Sequence, residues 1–136
     1  MNYAAGSIWR KWDLHVHTPA SLTHHFQPGV ATDPWDAYIK ALAHLPTEFK
    51  VLGIDDYLFI DGYIRVREAH RAGLLPNLDL VLPVIEIRLD KFGGTSSAWS
   101  KVNFHVVFSD VVEPDAIQVQ FINRLHAKYD LGNSGL

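Results

Sequence analysis

The chain contains no cysteine. That excludes disulfides, thiolate metal sites and cysteine nucleophiles together, so any transition-metal site must be built from His, Asp and Glu. No block of Lys or Arg stands out either, and the formal net charge is −3. The overall balance therefore gives no electrostatic footprint for nucleic acid. No apolar run approaches the ~20 residues of a membrane span, and the N-terminus lacks a signal-peptide core. The expectation is a cytoplasmic protein with no membrane partner. Repeats, low-complexity tracts and interdomain linkers are missing as well. What is present is one domain, or a piece of one: 136 residues, 48% hydrophobic, with four Trp, five Tyr and seven Phe. Such a composition supports a packed core rather than disorder. Eight histidines are a generous supply of metal ligands.

Hydrophobic periodicity and turn residues divide the chain into alternating strands and helices. After a loose leader over residues 1–8, residues 9–18 read as a first strand. A long loop over residues 19–32 follows, holding His24 and His25; loops of that length in compact domains tend to be functional. Asp33-Pro34 is a helix start, an N-cap acceptor followed by proline at the first helical position. Trp35, Tyr38, Ile39, Leu42 and Leu45 then keep the 3.6-residue period up to Pro46. Residues 49–56 read as a buried second strand ending in Asp55 and Asp56. Asp61 is expected to cap a second helix over residues 62–72, closed by Gly73. Residues 78–89 read as a third strand, disturbed at Pro83. Residues 91–100, with Gly93-Gly94 and several Ser/Thr, read as a loop, and residues 101–108 as a fourth strand around His105. Glu113-Pro114 opens a third helix with Ile117, Phe121, Ile122 and Leu125 as its apolar stripe. The order β-α-β-α-β-β-α with near-continuous apolar strands points to an α/β fold with mostly parallel strands.

In such sheets functional groups collect at the carboxyl ends of the strands. The stretch Trp12-Asp-Leu-His-Val-His-Thr-Pro places His15 and His17 two residues apart. On a strand both imidazoles project from one face, about 6–7 Å apart along the chain, close enough to serve one ion or two neighbouring ions. Leu14 and Val16 then face the covering helices. Asp13 shares the histidine face as an outer partner that fixes a ring tautomer. Asp55, Asp56 and Glu86 also fall at or near strand ends, so all of these belong to one expected site. Asp55 and Asp56 stand between site duty and capping of the following turn. Glu86 is a ligand candidate, with a salt bridge to Arg88 as its structural alternative. His105 is either a ligand or a hydrogen-bonded core group. His44, His70 and His126 lie on helices and are expected at the surface.

Taken in order, Asp13-Leu-His-Val-His-Thr, the His-bearing loop, Gly53-Ile-Asp-Asp-Tyr, Leu82-Pro-Val-Ile-Glu-Ile and Asn103-Phe-His-Val resemble the polymerase and histidinol phosphatase (PHP) family. The segment Trp9-Arg-Lys-Trp-Asp-Leu-His-Val-His-Thr-Pro-Ala-Ser is similar to the N-terminal PHP domain of TrlF-type proteins, where it precedes an AAA-like ATPase region. The resemblance implies a distorted seven-stranded β/α barrel that holds two or three ions of zinc, manganese or iron and hydrolyses phosphoesters. It implies His15, His17, His24, Glu86 and His105 as metal ligands, with His25 as the alternative to His24 and Glu86 bridging two ions. The family's Thr-Asp-His reads Asp55-Asp56-Tyr57 here, so a histidine ligand is replaced by a phenol, and Asp55 is the available oxygen substitute. A β/α barrel needs ~200–250 residues. The expectation is thus the N-terminal half of such a barrel, either a fragment or a half completed by a partner.

A His/carboxylate set of this kind suits zinc, manganese or iron, and phosphoester cleavage by metal-activated water needs no serine or cysteine nucleophile. Asp55 and Asp56 are the candidate catalytic carboxylates beside the ions, and Arg88 is placed to clamp a phosphate oxygen. The expected substrate is a phosphorylated small molecule or a nucleic-acid phosphoester. Gly93-Gly94-Thr95-Ser96 lacks the Gly-Lys-Ser/Thr ending of a phosphate loop, so any ATPase lies outside this chain. Two further functions fit the same residues: a non-catalytic, metal-holding PHP module that docks or regulates beside an ATPase, and a metal-dependent amidohydrolase.

Overall fold

A computed structural model describes residues 9–21 and 33–125. Its elements run β1 (Lys11–Val16), α1 (Pro34–Ala43), β2 (Phe49–Tyr57), α2 (Asp61–Arg71), β3 (Leu80–Thr95), β4 (Ala98–Val107) and α3 (Pro114–Gln120), followed by a 3₁₀ turn (Ile122–Arg124). The four strands form one sheet in chain order, β1-β2-β3-β4. β1 with β2 and β2 with β3 are parallel, while β3 and β4 are antiparallel. The element order is the one the sequence predicts, and the sheet is mixed. Among the described residues no helix is long and apolar enough to cross a membrane.

Alternation along β2 and β3 sets two faces of different character. Leu52, Ile54, Val81 and Ile85 look toward the helices and join Tyr38 and Leu42 of α1, Tyr63 and Val66 of α2, and Ile117 of α3 in one core. Val51, Leu82 and Val84 are buried on the other face, where Asp55 and Glu86 also lie. α1 begins as expected, with Asp33 Oδ1 accepting the Trp35 amide at 2.9 Å and proline at the start. α2 begins one residue earlier than predicted. Ile60 holds the cap position and Asp61 is the first helical residue, with no side-chain cap bond. α3 is shorter than its apolar pattern implies: it ends at Gln120, and Phe121 (φ −116°, ψ −69°) leads into the 3₁₀ turn that carries Ile122.

The largest departure is at residues 91–100. They form the tip of a long β3–β4 hairpin rather than a loop, with Thr95 paired to Ala98 across a two-residue turn at Ser96 and Ser97. Gly94 is built for this pairing rather than for a loop. Its φ is +138°, and a Cβ there would overlap the Ala98 carbonyl, so the glycine serves a close strand-to-strand approach. Pro83 does not interrupt β3: it pairs with Ile54, and its carbonyl accepts the Phe108 amide at 2.9 Å.

β1 is also shorter than the sequence implies, and it is bulged. Asp13 registers with Leu52 and Val16 with Ile54, three residues against two. The extra residue brings the β1 backbone onto Gly53, where a Cβ would lie 2.8 Å from Leu14 Cα and 2.7 Å from Val84 Cγ2. Only glycine leaves room for that approach. Gly53→Ala is expected to destabilise the fold by about 1–3 kcal/mol through overpacking. Gly73→Ala has nothing within 4 Å to meet, and only its φ of +76° opposes a side chain; it should cost about 1 kcal/mol. Urea unfolding of the two variants checks the difference.

Candidate metal centre

Each of the four strands contributes one side chain to a single cluster. His15 of β1, Asp55 of β2, Glu86 of β3 and His105 of β4 offer ligand atoms that all lie within 4.8 Å of one another. The register explains the convergence. Tyr57 pairs with Glu86 and Asp55 with Val84 across β2 and β3, while Glu86 pairs with His105 across β3 and β4. Paired residues share a face, so Asp55, Glu86 and His105 come to one side. His105 Nδ1 lies 2.6 Å from Asp55 Oδ2, and His15 Nε2 lies 3.7 Å from both Asp55 Oδ2 and Glu86 Oε2.

His17, just past the end of β1, borders the cluster. Its Nε2 is 3.1 Å from His15 Nε2 and 3.6 Å from Glu86 Oε2. Glu86 Oε2 is therefore nearly equidistant from the two histidines. Its other oxygen accepts a 2.6 Å hydrogen bond from Asn103 Nδ2, and the Asn103 carbonyl oxygen in turn accepts from Arg88 Nε at 3.2 Å. The Glu86–Arg88 pairing that sequence allows is thus mediated by Asn103. Arg88 is exposed, with its guanidinium 5.7 Å from the centre of the Tyr57 ring.

The adjacent acids of β2 part company. Asp55 faces the histidines, whereas Asp56 faces the helices and accepts both the Thr18 amide at 3.0 Å and the Thr18 hydroxyl at 2.7 Å. The start of α2 closes over this pair: a Cβ on Gly62 would overlap Asp56 Oδ2 and Thr18 Oγ1. Asp13 does not reach an imidazole. The bulge breaks the alternation, and Asp13 Oδ1 accepts the His15 amide at 3.1 Å instead. His24 and His25 lie outside the described residues, as does His126. His44 is exposed, as expected, but His70 is half-buried, its Nε2 3.1 Å from the Leu78 carbonyl oxygen.

Burial governs the electrostatics. Asp55, Asp56 and Glu86 are 0%, 1% and 1% exposed. Burial pushes the Asp55 carboxyl above the usual range, opposed by the hydrogen bond and charge of His105 and reinforced by the Glu86 charge. Burial likewise raises Asp56, against the two Thr18 bonds that favour its charged form. Tyr57 is raised by burial and by the Glu86 carboxylate beside it, which keeps the phenol neutral.

No hydrogen bond from the described residues reaches Asp55 Oδ1 or Glu86 Oε2. Two buried carboxylate oxygens without hydrogen-bond donors are costly, and a cation held by the cluster would relieve that cost. Two imidazoles and two carboxylates are also a donor set suited to a divalent ion. The residues present fit a metal. What sequence reasoning did not single out is Asn103, which orients Glu86 from the next strand; its place two residues before His105 on one strand face is the available signal. Set against known proteins, the chain matches no family model, no curated protein and no solved structure.

Thr18→Val keeps the shape of the side chain and removes the hydroxyl donor from the buried Asp56. The expected loss is about 1–3 kcal/mol, read as a lower urea midpoint with an unchanged slope.

Proposed function

We propose that this chain is a metal-dependent phosphoesterase domain, built as the N-terminal half of a distorted PHP-type β/α barrel. The observation that carries the proposal is the convergence of His15, Asp55, Glu86 and His105 from four successive strands within 4.8 Å. The resemblance of the Asp13-Leu-His-Val-His-Thr segment to the PHP family supports it, as does a sheet whose strands are neighbours in chain order. The antiparallel β4 departs from a regular β/α barrel and belongs to the distortion.

His15, Asp55, Glu86 and His105 would hold one ion, and His17 with Glu86 would serve a second, Glu86 Oε2 lying 3.7 Å and 3.6 Å from the two histidines. Zinc, manganese and iron suit these nitrogen and oxygen donors. Such ions, when bound, supply an activated water and stabilise charge on a phosphoryl oxygen. The chain's own groups do the rest. Asn103 holds Glu86 in place through its 2.6 Å bond. The contact of His105 with Asp55 fixes that ring's orientation. Arg88, held at Nε by Asn103, stands exposed on the same side and would meet a phosphate oxygen with the rest of its guanidinium. Asp56, committed to Thr18, holds the end of β1 and takes no part in proton transfer.

A non-catalytic, metal-holding module is favoured over this reading by one feature, the neutral Tyr57 phenol beside Glu86 where the family has a histidine. The experiment that separates the two starts with metal content after stripping and reloading. The wild type should retain at least one ion per chain and be stabilised by about 2.7 kcal/mol when the ion is present at 100 times its dissociation constant. Glu86→Gln should lose that stabilisation. Metal-stimulated hydrolysis of bis(p-nitrophenyl) phosphate should fall by about 100-fold or more in Glu86→Gln and His15→Ala. Retained metal with equal hydrolysis in wild type and variants would leave only the non-catalytic module.

A further inference from the structure

The β3–β4 hairpin continues well past the metal centre, and its outer half carries large side chains that the fold does not bury. Trp99 is 66% exposed and Phe92 57% exposed. Their placement follows from the register. β4 is regular from Ala98 to Val107, and the extra residues between Arg88 and Phe92 are on β3. Counting back by twos from His105, the residues Asn103, Lys101 and Trp99 share its face. Phe92 pairs with Lys101 and so joins that face, and Gly94 pairs with Trp99. A glycine opposite the indole leaves its ring uncovered on that side. The opposite face of β4 carries Ala98, Ser100, Val102, Phe104 and Val106, without a cation.

One face of the strand therefore presents, in order, an aromatic ring, a cation, an amide and a candidate metal ligand. Arg88 and Lys91 add to the cations of the arm, against the single acid Asp90. The chain as a whole is acidic, so this local excess of positive charge runs against its average. At a strand rise of about 3.3 Å per residue, Trp99 stands ~20 Å along the strand from His105. An occupant that touches both ends must be long, anionic and supplied with flat apolar faces. A single-stranded nucleic acid has those properties, because its phosphates pair with Lys and Arg and its bases stack on aromatic rings without regard to sequence.

We propose that the β3–β4 hairpin is a substrate arm that holds a single-stranded nucleic acid beside the metal centre, with Trp99 stacking on a base and Lys101 and Arg88 meeting backbone phosphates. The proposal rests on the phosphoesterase reading for the identity of the centre, and it names the substrate class that reading leaves open. A small phosphate ester would end at the metal cluster and would not use the arm. A nucleic-acid strand leads its ester to the cluster while its neighbouring nucleotides lie along β4.

The test is binding of a fluorescein-labelled oligothymidylate long enough to span the arm, followed by anisotropy with chelator present so that no hydrolysis runs. The wild type should bind with an affinity that falls as salt rises. Trp99→Ala should weaken binding about tenfold or more, and Trp99→Tyr should restore most of it. Lys101→Ala should lower the salt slope by about one contact. Equal affinity for wild type, Trp99→Ala and Lys101→Ala would overturn the arm, and so would absence of binding by the wild type. Sedimentation of the same proteins addresses a second copy as occupant: a dimer that forms in the wild type and is lost in Trp99→Ala would also overturn it. Hydrolysis of bis(p-nitrophenyl) phosphate by the wild-type chain reports on the metal centre alone. Arm-dependent binding without that hydrolysis leaves the substrate arm standing and removes the phosphoesterase.

Discussion

Three carboxylates, two near the end of β2 and one within β3, are almost completely withdrawn from water, and the surrounding structure is arranged to make that tolerable. An ionised carboxylate in a low-dielectric interior costs several kcal/mol unless hydrogen bonds and opposite charge answer it. Asp56 is answered by the amide and hydroxyl of Thr18, which ties the exit of β1 to β2. Asp55 is answered by His105 and Glu86 by Asn103, which ties β4 to the two central strands. The sheet's last strand and its first are thus both anchored to these acids. Two oxygens are left over, Asp55 Oδ1 and Glu86 Oε2, which no hydrogen bond from the described residues answers.

The bulge in β1 is part of the same arrangement. It moves Asp13 away from the histidines, lets its side chain take up the His15 amide, and presses the β1 backbone onto Gly53. A regular strand would have put Asp13 beside the imidazoles, where a third carboxylate would compete for any ion. Gly62 serves the helix side in a comparable way, since only a residue without Cβ allows α2 to close over the Asp56–Thr18 pair. The missing Cβ at two glycines is therefore what allows the β1 backbone and the Asp56–Thr18 pair to pack this closely around β2.

The hairpin shows a different balance. Near the metal centre Glu86 is buried and His105 half-buried, each held by a hydrogen bond. Further out, the same strands carry exposed aromatic rings and most of the local cations. An antiparallel pair can extend this way because its ladder satisfies its own backbone polar groups without a covering layer. The arm is thus compatible with the fold but not required by it, which is why its exposed rings ask for an occupant.

Much was legible in the sequence. The element order followed from periodicity, α1 from its Asp33-Pro34 start, His15 and Glu86 from their expected places near strand ends, and His105 from the fourth strand and the resemblance to the PHP family. The parallel pairing of β1 with β2 and of β2 with β3 followed from apolar strands separated by helices. Which of two neighbouring acids joins the histidines was not legible. Asp55 and Asp56 differ only in the side of β2 they occupy, and the site side is set by the strands and helices packed on each face. The bulge at β1 and the hairpin at Gly93-Gly94 were hidden for a related reason. Glycine composition reads as a turn, whereas here it marks close approach between backbones distant in sequence. Local residue chemistry fixed which groups could act, and only the pairing of strands decided which of them meet.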